Sequence, residues 1–397
     1  MTRKELQLLI ILAAVNFTNI MDFMIMMPLQ EFLVPDFKIT PTQFGLLVSS
    51  YAFSAFTASL TATFLIDRFD RKKALVFAFS GLVVGTLICG MANSYLNLLL
   101  ARIITGLFGG LISAQVLSIV GDLFPYEKRG RAMGVLMSAF ALASVAGVPA
   151  GLYVATHFHW QVPFIWVGLF GLVVLGFVLL KIPSVRGHIR EKKERKKFRV
   201  YQSVYASSNQ QRALLLMFTL IFAHFVTIPF IAPYLEMNVG FKKEQLPMMY
   251  FAGGLISMIS SPLIGKAADR FGKQKIMALF LLLSTIPVYL ITHLPPSSVA
   301  VVLVVTTSFF LFAGGRMIPA QAIITSVVPG ELRGGFMNLS ASIQQLGVGL
   351  AALTGGVIIT KSQGGTLENY DIVGYLSIGV ALLCLVILFK IKPMENE

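Results

Sequence analysis

Cysteine is almost absent: the 397 residues include two, Cys89 and Cys384. Both fall inside apolar runs and neither has a companion at metal-ligand or redox spacing. A disulfide scaffold and a cysteine-held metal are thereby excluded, and two buried free thiols are expected. Charge is scarce too. Only 13% of residues are charged while 56% are hydrophobic, and a mean hydropathy of +0.79 lies outside the range of soluble domains. Acids are the rarest class, 18 Asp and Glu against 32 Lys and Arg. No metal constellation or activated nucleophile stands at recognisable spacing, so neither an enzyme nor a bound metal or cofactor is expected. A sizeable extramembrane domain, which a receptor would need, is also lacking.

What the sequence does have is twelve long apolar runs, and a bilayer core of ~30 Å takes ~20 residues of helix to cross. They are expected at about 6–31, 43–66, 74–92, 96–124, 132–156 and 162–182, then 213–236, 246–267, 276–294, 299–327, 335–360 and 372–391. Arg3, Lys4 and the run that follows, with Ala13-Ala14, imitate a signal peptide. The apolar pattern continues to Pro28, so an uncleaved first helix is expected.

The net charge of +14 is explained by where the cations fall. With the loops assigned alternately to two sides, one side holds Arg3, Lys4, Arg68, Arg71, Lys72, Lys73, Lys128, Arg129, Arg131, the central loop, Lys266, Lys273, Lys275, Arg333, Lys390 and Lys392. The other holds only Lys38, Lys242, Lys243 and Lys361. By the positive-inside rule the first side is cytoplasmic, with both termini on it, in a cell inner (plasma) membrane. The basicity is then a topology signal in a lipid bilayer, and no nucleic-acid partner is expected.

The chain also repeats itself. Asp67-Arg68-Phe69-Asp70-Arg71-Lys72-Lys73 returns, roughly two hundred residues on, as Asp269-Arg270-Phe271-Gly272-Lys273-Gln274-Lys275. Pro125-Tyr126-Glu127-Lys128-Arg129-Gly130 returns as Pro329-Gly330-Glu331-Leu332-Arg333-Gly334, and Gly109, Gly110 and Gln115 are echoed by Gly314, Gly315 and Gln321. Two homologous halves on the same side of a membrane mark parallel repeats in secondary transporters. The expected fold is all-α and integral to the membrane: twelve transmembrane helices in two pseudo-symmetric six-helix bundles, 1–182 and 212–397. A basic cytoplasmic linker, 183–211, joins them. It is charged almost throughout from His188 to Lys197, and is either a solvated tether or a basic helix on anionic headgroups.

These residues resemble the major facilitator superfamily, and within it the twelve-helix drug and sugar efflux proton antiporters of the arabinose efflux permease type. The family's helix 2–3 motif, G-x-x-x-D-R-x-G-R-K-x, is met by Asp67, Arg68, Arg71 and Lys72, with Thr63 and Asp70 in place of its glycines; the second copy keeps Gly265, Asp269, Arg270 and Gly272. The helix 4 motif R-x-x-x-G-x-x-x-G is met by Arg102, Gly106 and Gly110. The helix 5 antiporter motif is shortened to Gly147-Val148-Pro149-Ala150-Gly151, and Asp22 to Pro28 is similar to the acidic helix-one motif of proton-driven exporters. The resemblance implies alternating access and proton antiport. It also implies a cytoplasmic latch of Asp67, Arg71 and Asp122, with Arg68, Asp269 and Arg270 completing the gate and Asp67 near the start of helix eleven around Gly335.

A charge at membrane depth costs at least ~2.5–3.5 kcal/mol, so the deep ones need a reason. They are Asp22, Arg102 and Arg316. Asp22 lies roughly 13 Å below one end of its helix and Arg102 roughly 9 Å below the same end, at 1.5 Å per residue. They are expected to meet, either as a permanent ion pair or as a proton-coupling pair broken in one state. Asn16, Asn19 and Asp22 are expected to form one stripe facing a central cavity. Asn19, Tyr51, Gln115, His224, Arg316, Gln321 and Gln344 are the candidate substrate-binding residues, each alternatively a helix-to-helix hydrogen bonder. The function expected is proton-coupled export of a small organic molecule by a monomer. An importer or uniporter of an organic anion anchored by Arg316 and a non-transporting receptor stand as alternatives.

Overall fold

Proline places most of the helix breaks. In the computed structural model, which describes residues 2–65, 69–124, 126–184, 194–330 and 332–392, α1 (Arg3–Ile25) ends just before Pro28 and a short α2 (Gln30–Phe37) follows. Helix one is therefore not continuous over 6–31, and a separate short helix stands between the first two spans. Pro28 has no N–H for the Met24 carbonyl, which is met instead by Met27 N–H at 3.3 Å.

The first half continues with α3 (Pro41–Leu65), α4 (Arg71–Gly90), α5 (Tyr95–Leu123), α6 (Tyr126–Leu142), α7 (Val148–His157) and α8 (Val162–Lys181). A single π turn, Ala143–Gly147, joins α6 to α7 directly ahead of Pro149. A linker helix, α9 (Glu194–Ala206), leads to α10 (Ser208–Phe225), which breaks ahead of Pro229 and resumes as α11 (Ile228–Tyr234). Next come α12 (Leu246–Phe271), α13 (Lys273–Thr292) and α14 (Val299–Gly315). The last stops at Gly315 because Pro319 cannot donate to its carbonyl; α15 (Met317–Thr325) follows, leaving Arg316 at the break. The remaining helices are α16 (Arg333–Ile358) and α17 (Tyr370–Leu388). Between them β1 (Thr360–Lys361) and β2 (Leu367–Glu368) pair antiparallel. Among the described residues, twelve stretches are long and apolar enough to cross a membrane.

The hydrophobic interior is divided unequally between the two ends of the bundle. At the end that carries the termini, each half has its own core. Leu9, Leu12, Phe79, Ile112 and Val178 pack in the first; Leu216, Met217, Leu281, Ile324 and Leu388 pack in the second. At the opposite end a single core spans both halves and includes Ile25, Phe44, Phe164, Phe230, Val302 and Tyr370.

Glycines show the same asymmetry. Across the interface at the opposite end, a Cβ on Gly45 would lie 2.6 Å from the Ala352 carbonyl oxygen, one on Gly356 2.8 Å from that of Pro41, and one on Gly254 2.7 Å from that of Ser144. Only the missing side chain lets these backbones touch. Thr42 Oγ1 also donates to Gly356 O across the halves at 2.8 Å. Towards the terminal end, Gly134 on α6, Gly265 on α12 and Gly334 on α16 have nothing within 4 Å of such a Cβ among the described residues. The halves are shut at one end and parted at the other.

Candidate functional site

Asp22, near the end of α1, is fully buried, and three hydrogen bonds from two side chains hold it. Arg102 Nη1 on α5 donates to its Oδ2 at 2.8 Å and to its backbone oxygen at 3.1 Å, and Thr86 Oγ1 on α4 donates to Oδ1 at 2.8 Å. Both members of the ion pair have no side-chain exposure. The Arg102 guanidinium also lies over the Tyr51 ring, 4.5 Å from its centroid, and the Tyr51 hydroxyl donates to Asn19 Oδ1 at 3.1 Å. This joins α1, α3, α4 and α5 in one polar network.

The glycines of the helix 4 motif make the network possible. A Cβ on Gly106 would come within 2.3 Å of the Tyr51 carbonyl oxygen, one on Gly110 within 2.4 Å of the Ala55 carbonyl oxygen, and one on Gly109 within 2.3 Å of the Tyr51 hydroxyl. Bare backbone on α5 lets α3 approach until the tyrosine ring covers the arginine.

The expected stripe on α1 does not form. Residues three apart on a helix drift by roughly 60° per step, so the three polar side chains fan out to different helices. Asn16 Nδ2 reaches the Leu136 carbonyl on α6 at 3.4 Å, Asn19 meets Tyr51, and Asp22 turns into the first half towards α4 and α5, away from the space between halves.

The other candidates lie apart from this network. Gln115 is fully buried on α5, and neither atom of its amide has a partner among the described residues. His224 on α10 stacks on Phe309, with 5.5 Å between ring centroids, and its Nδ1 is buried without a partner among the described residues. Arg316 is 1% exposed and donates to Ser284 Oγ at 3.1 Å. Gln321 and Gln344 are half-buried, and Gln344 Nε2 reaches Ser340 Oγ at 3.4 Å.

The family model of the Major Facilitator Superfamily matches residues 12–311 and, a second time, 213–397. The chain belongs to that superfamily. It is a multi-pass membrane transporter. Over 387 residues it is 23% identical to multidrug resistance protein 1 of Bacillus subtilis (strain 168), covering 96% of each chain. Over 349 residues it is 25% identical to the inner membrane transport protein YdhP of Escherichia coli (strain K12), covering 88% of this chain and 87% of that one. Among solved structures it is similar to a D-xylose-proton symporter, with a TM-score of 0.78 at 16% identity, covering 98% of this chain and 97% of that one. A bacterial homologue of the human lysosomal transporter Spinster, inward-facing and occupied, gives 0.77 at the same identity and coverage.

Of the latch that the superfamily motif implies, Asp67, Arg68 and the side chain of Asp122 lie outside the described residues. Arg71 is 6% exposed at the start of α4. Asp70, which replaces a motif glycine, caps α4 by accepting from Lys72 N–H at 2.8 Å and also bonds Ser184. Asp269 and Arg270 are exposed at the end of α12, where Arg270 lies 5.2 Å over Phe271. What packs on Gly335 is Val200 of the linker helix, 2.7 Å from where a Cβ would stand.

A second acidic site, at the shut end, was not recognisable as a site from sequence. Glu31 of α2 is 1% exposed, and no donor reaches either of its carboxyl oxygens among the described residues. It faces the Glu236 carboxyl of the other half. Lys243 Nζ stands 3.3 Å from Glu236 Oε1 and 3.3 Å from the Glu31 backbone oxygen, and 5.3 Å above the Phe32 ring. Glu31, Glu236 and Lys243 line a cleft of ≈ 970 Å³ that also includes Lys38, Thr42 and Lys361. Burial first, then the neighbouring Glu236 carboxyl, push the Glu31 carboxyl well above the usual carboxylate range, against the opposing pull of Lys243.

Proposed function

We propose that this transporter exports a small organic molecule in exchange for protons, as a monomer in the inner membrane, by rocking its two halves about a midplane site. The observation that carries the reading is the Asp22–Arg102 pair, 2.8 Å apart and without exposure. Removing one partner of a buried pair costs about 3–5 kcal/mol, because the other charge is stranded. Protonating Asp22 neutralises it in place and frees Arg102 without leaving a bare carboxylate. A carboxyl that has its arginine in one state and lacks it in the next binds its proton with different affinity in the two, and proton coupling requires that difference.

Sidedness rests on the cations. If the cation-rich side is cytoplasmic, the parted end opens inward and the shut end faces outward. Asp22 then sits, paired, in an arrangement ready to receive solute from the cytoplasm.

The test is Asp22→Asn in proteoliposomes. The amide mimics the protonated acid and cannot titrate. Loss of transport driven by an imposed proton gradient, with energy-independent exchange of the same solute retained, is the expected result. Undiminished gradient-driven accumulation would place coupling elsewhere and leave the pair a structural one.

A further inference from the structure

The two halves treat their deep arginines differently. Arg102 has Asp22 at 2.8 Å. Arg316, at the break between α14 and α15, is just as deeply buried, yet among the described residues it has no acidic partner. Its Nη1 donates to Ser284 Oγ at 3.1 Å. That hydroxyl spends its own proton on the Leu281 carbonyl at 2.8 Å, so it can only accept from the arginine. Among the described residues, Nε and Nη2 of Arg316 are buried and unpartnered, and so is Nδ1 of His224 on α10, which is close enough to feel the Arg316 charge.

A guanidinium in this setting is always charged. Burying it without a counter-charge is among the most expensive arrangements a protein can hold. Its two free N–H-bearing nitrogens present the planar fork that fits a carboxylate. A protein that merely needed packing here would be more stable with an apolar side chain.

We propose that Arg316 is an anion site, and that the solute carried by this transporter presents one carboxylate to it, with His224 as a second hydrogen-bonding group. One cation implies one negative charge. Ser284 fixes Nη1, leaving Nη2 and Nε for the ligand. The occupant's identity as transported solute rests on the proposed transport function; the anion site itself rests on the buried, half-satisfied guanidinium alone. A resident inorganic anion such as chloride has the same charge, and the experiment separates the two.

The purified full-length protein is melted in a sulfate background at constant ionic strength while formate, acetate or chloride is titrated in. Formate or acetate should raise the melting temperature saturably, with chloride weaker. Arg316→Gln should abolish that shift, and without added anion should melt no lower than the wild type, since it removes an uncompensated charge. Arg316→Lys, which keeps the charge but not the fork, should still respond, with an affinity lowered at least about tenfold. Three results would overturn the proposal: no saturable response to any of the three anions, an unchanged response in Arg316→Gln, or an anion-free melting temperature for Arg316→Gln well below that of the wild type. A saturable preference for chloride over both carboxylates would overturn the assignment to solute and make the site a chloride site. Asp22→Asn should keep the anion response, so a failure of proton coupling and a failure of this site give different patterns.

Discussion

Among single residues, the cost of a buried charge is what makes a sequence readable. Asp22 and Arg102 stand out because charge at that depth is rare, and the fold brings them together as an ion pair. Thr86 and Tyr51 complete the network, but threonine and tyrosine are common in helices and nothing in their spacing singles them out. Tyr51 is legible only as an aromatic on a cavity-side helix; its place over Arg102 depends on how closely α3 approaches α5. The meeting of Glu31 and Glu236 is less legible still, since each reads alone as an acid at a helix end.

That pair makes a pH prediction. The Glu31 carboxyl is pushed above the usual carboxylate range when the halves are shut at its end, so the shut arrangement binds the proton more tightly than the open one. Its stability is fully present below the ordinary carboxylate value of ~4.3 and is lost as pH rises through the raised value. Facing Glu31 are Glu236 and Lys243, with Tyr250 near enough to feel its charge. Spin labels at Lys38 and Lys361, on opposite walls of the cleft, should move apart as pH rises. Glu31→Gln should hold them close and remove the pH dependence; a distance that is pH-independent in the wild type would refute the link.

Helices are legible in number and order because each needs ~20 apolar residues, and their internal breaks are less so. Proline marks where a break becomes necessary, yet whether the chain answers with a π turn, as at Ala143–Gly147, or with a full stop, as at Arg316, is decided by packing. The α3–α16 contact shows the same limit. Gly45 and Gly356 read as small residues in helices; only the fold shows that they bring backbone against backbone between halves. Gly356→Val would overpack that seam at a cost of about 1–3 kcal/mol to the shut end. The expected result is a larger population with that end open, seen as a longer distance between the same two labels, with the melting temperature of the detergent-purified protein changed little.

For the whole molecule, duplication was legible from three echoed motifs, and the state in which the halves are held was not, because one sequence must encode both states. One core spans the halves at one end and two separate cores stand at the other, so the proposed rocking would have to part the first. Gly134, Gly265 and Gly334, which meet nothing at the parted end among the described residues, would on that proposal be vacancies where the halves close. A bulky side chain at such a vacancy has no cost now and becomes a wedge later. Gly334→Leu should leave the fold and the melting temperature almost untouched while stopping turnover. The transporter should then bind its solute from the parted side and never deliver it, held open by one side chain where glycine has only a hydrogen.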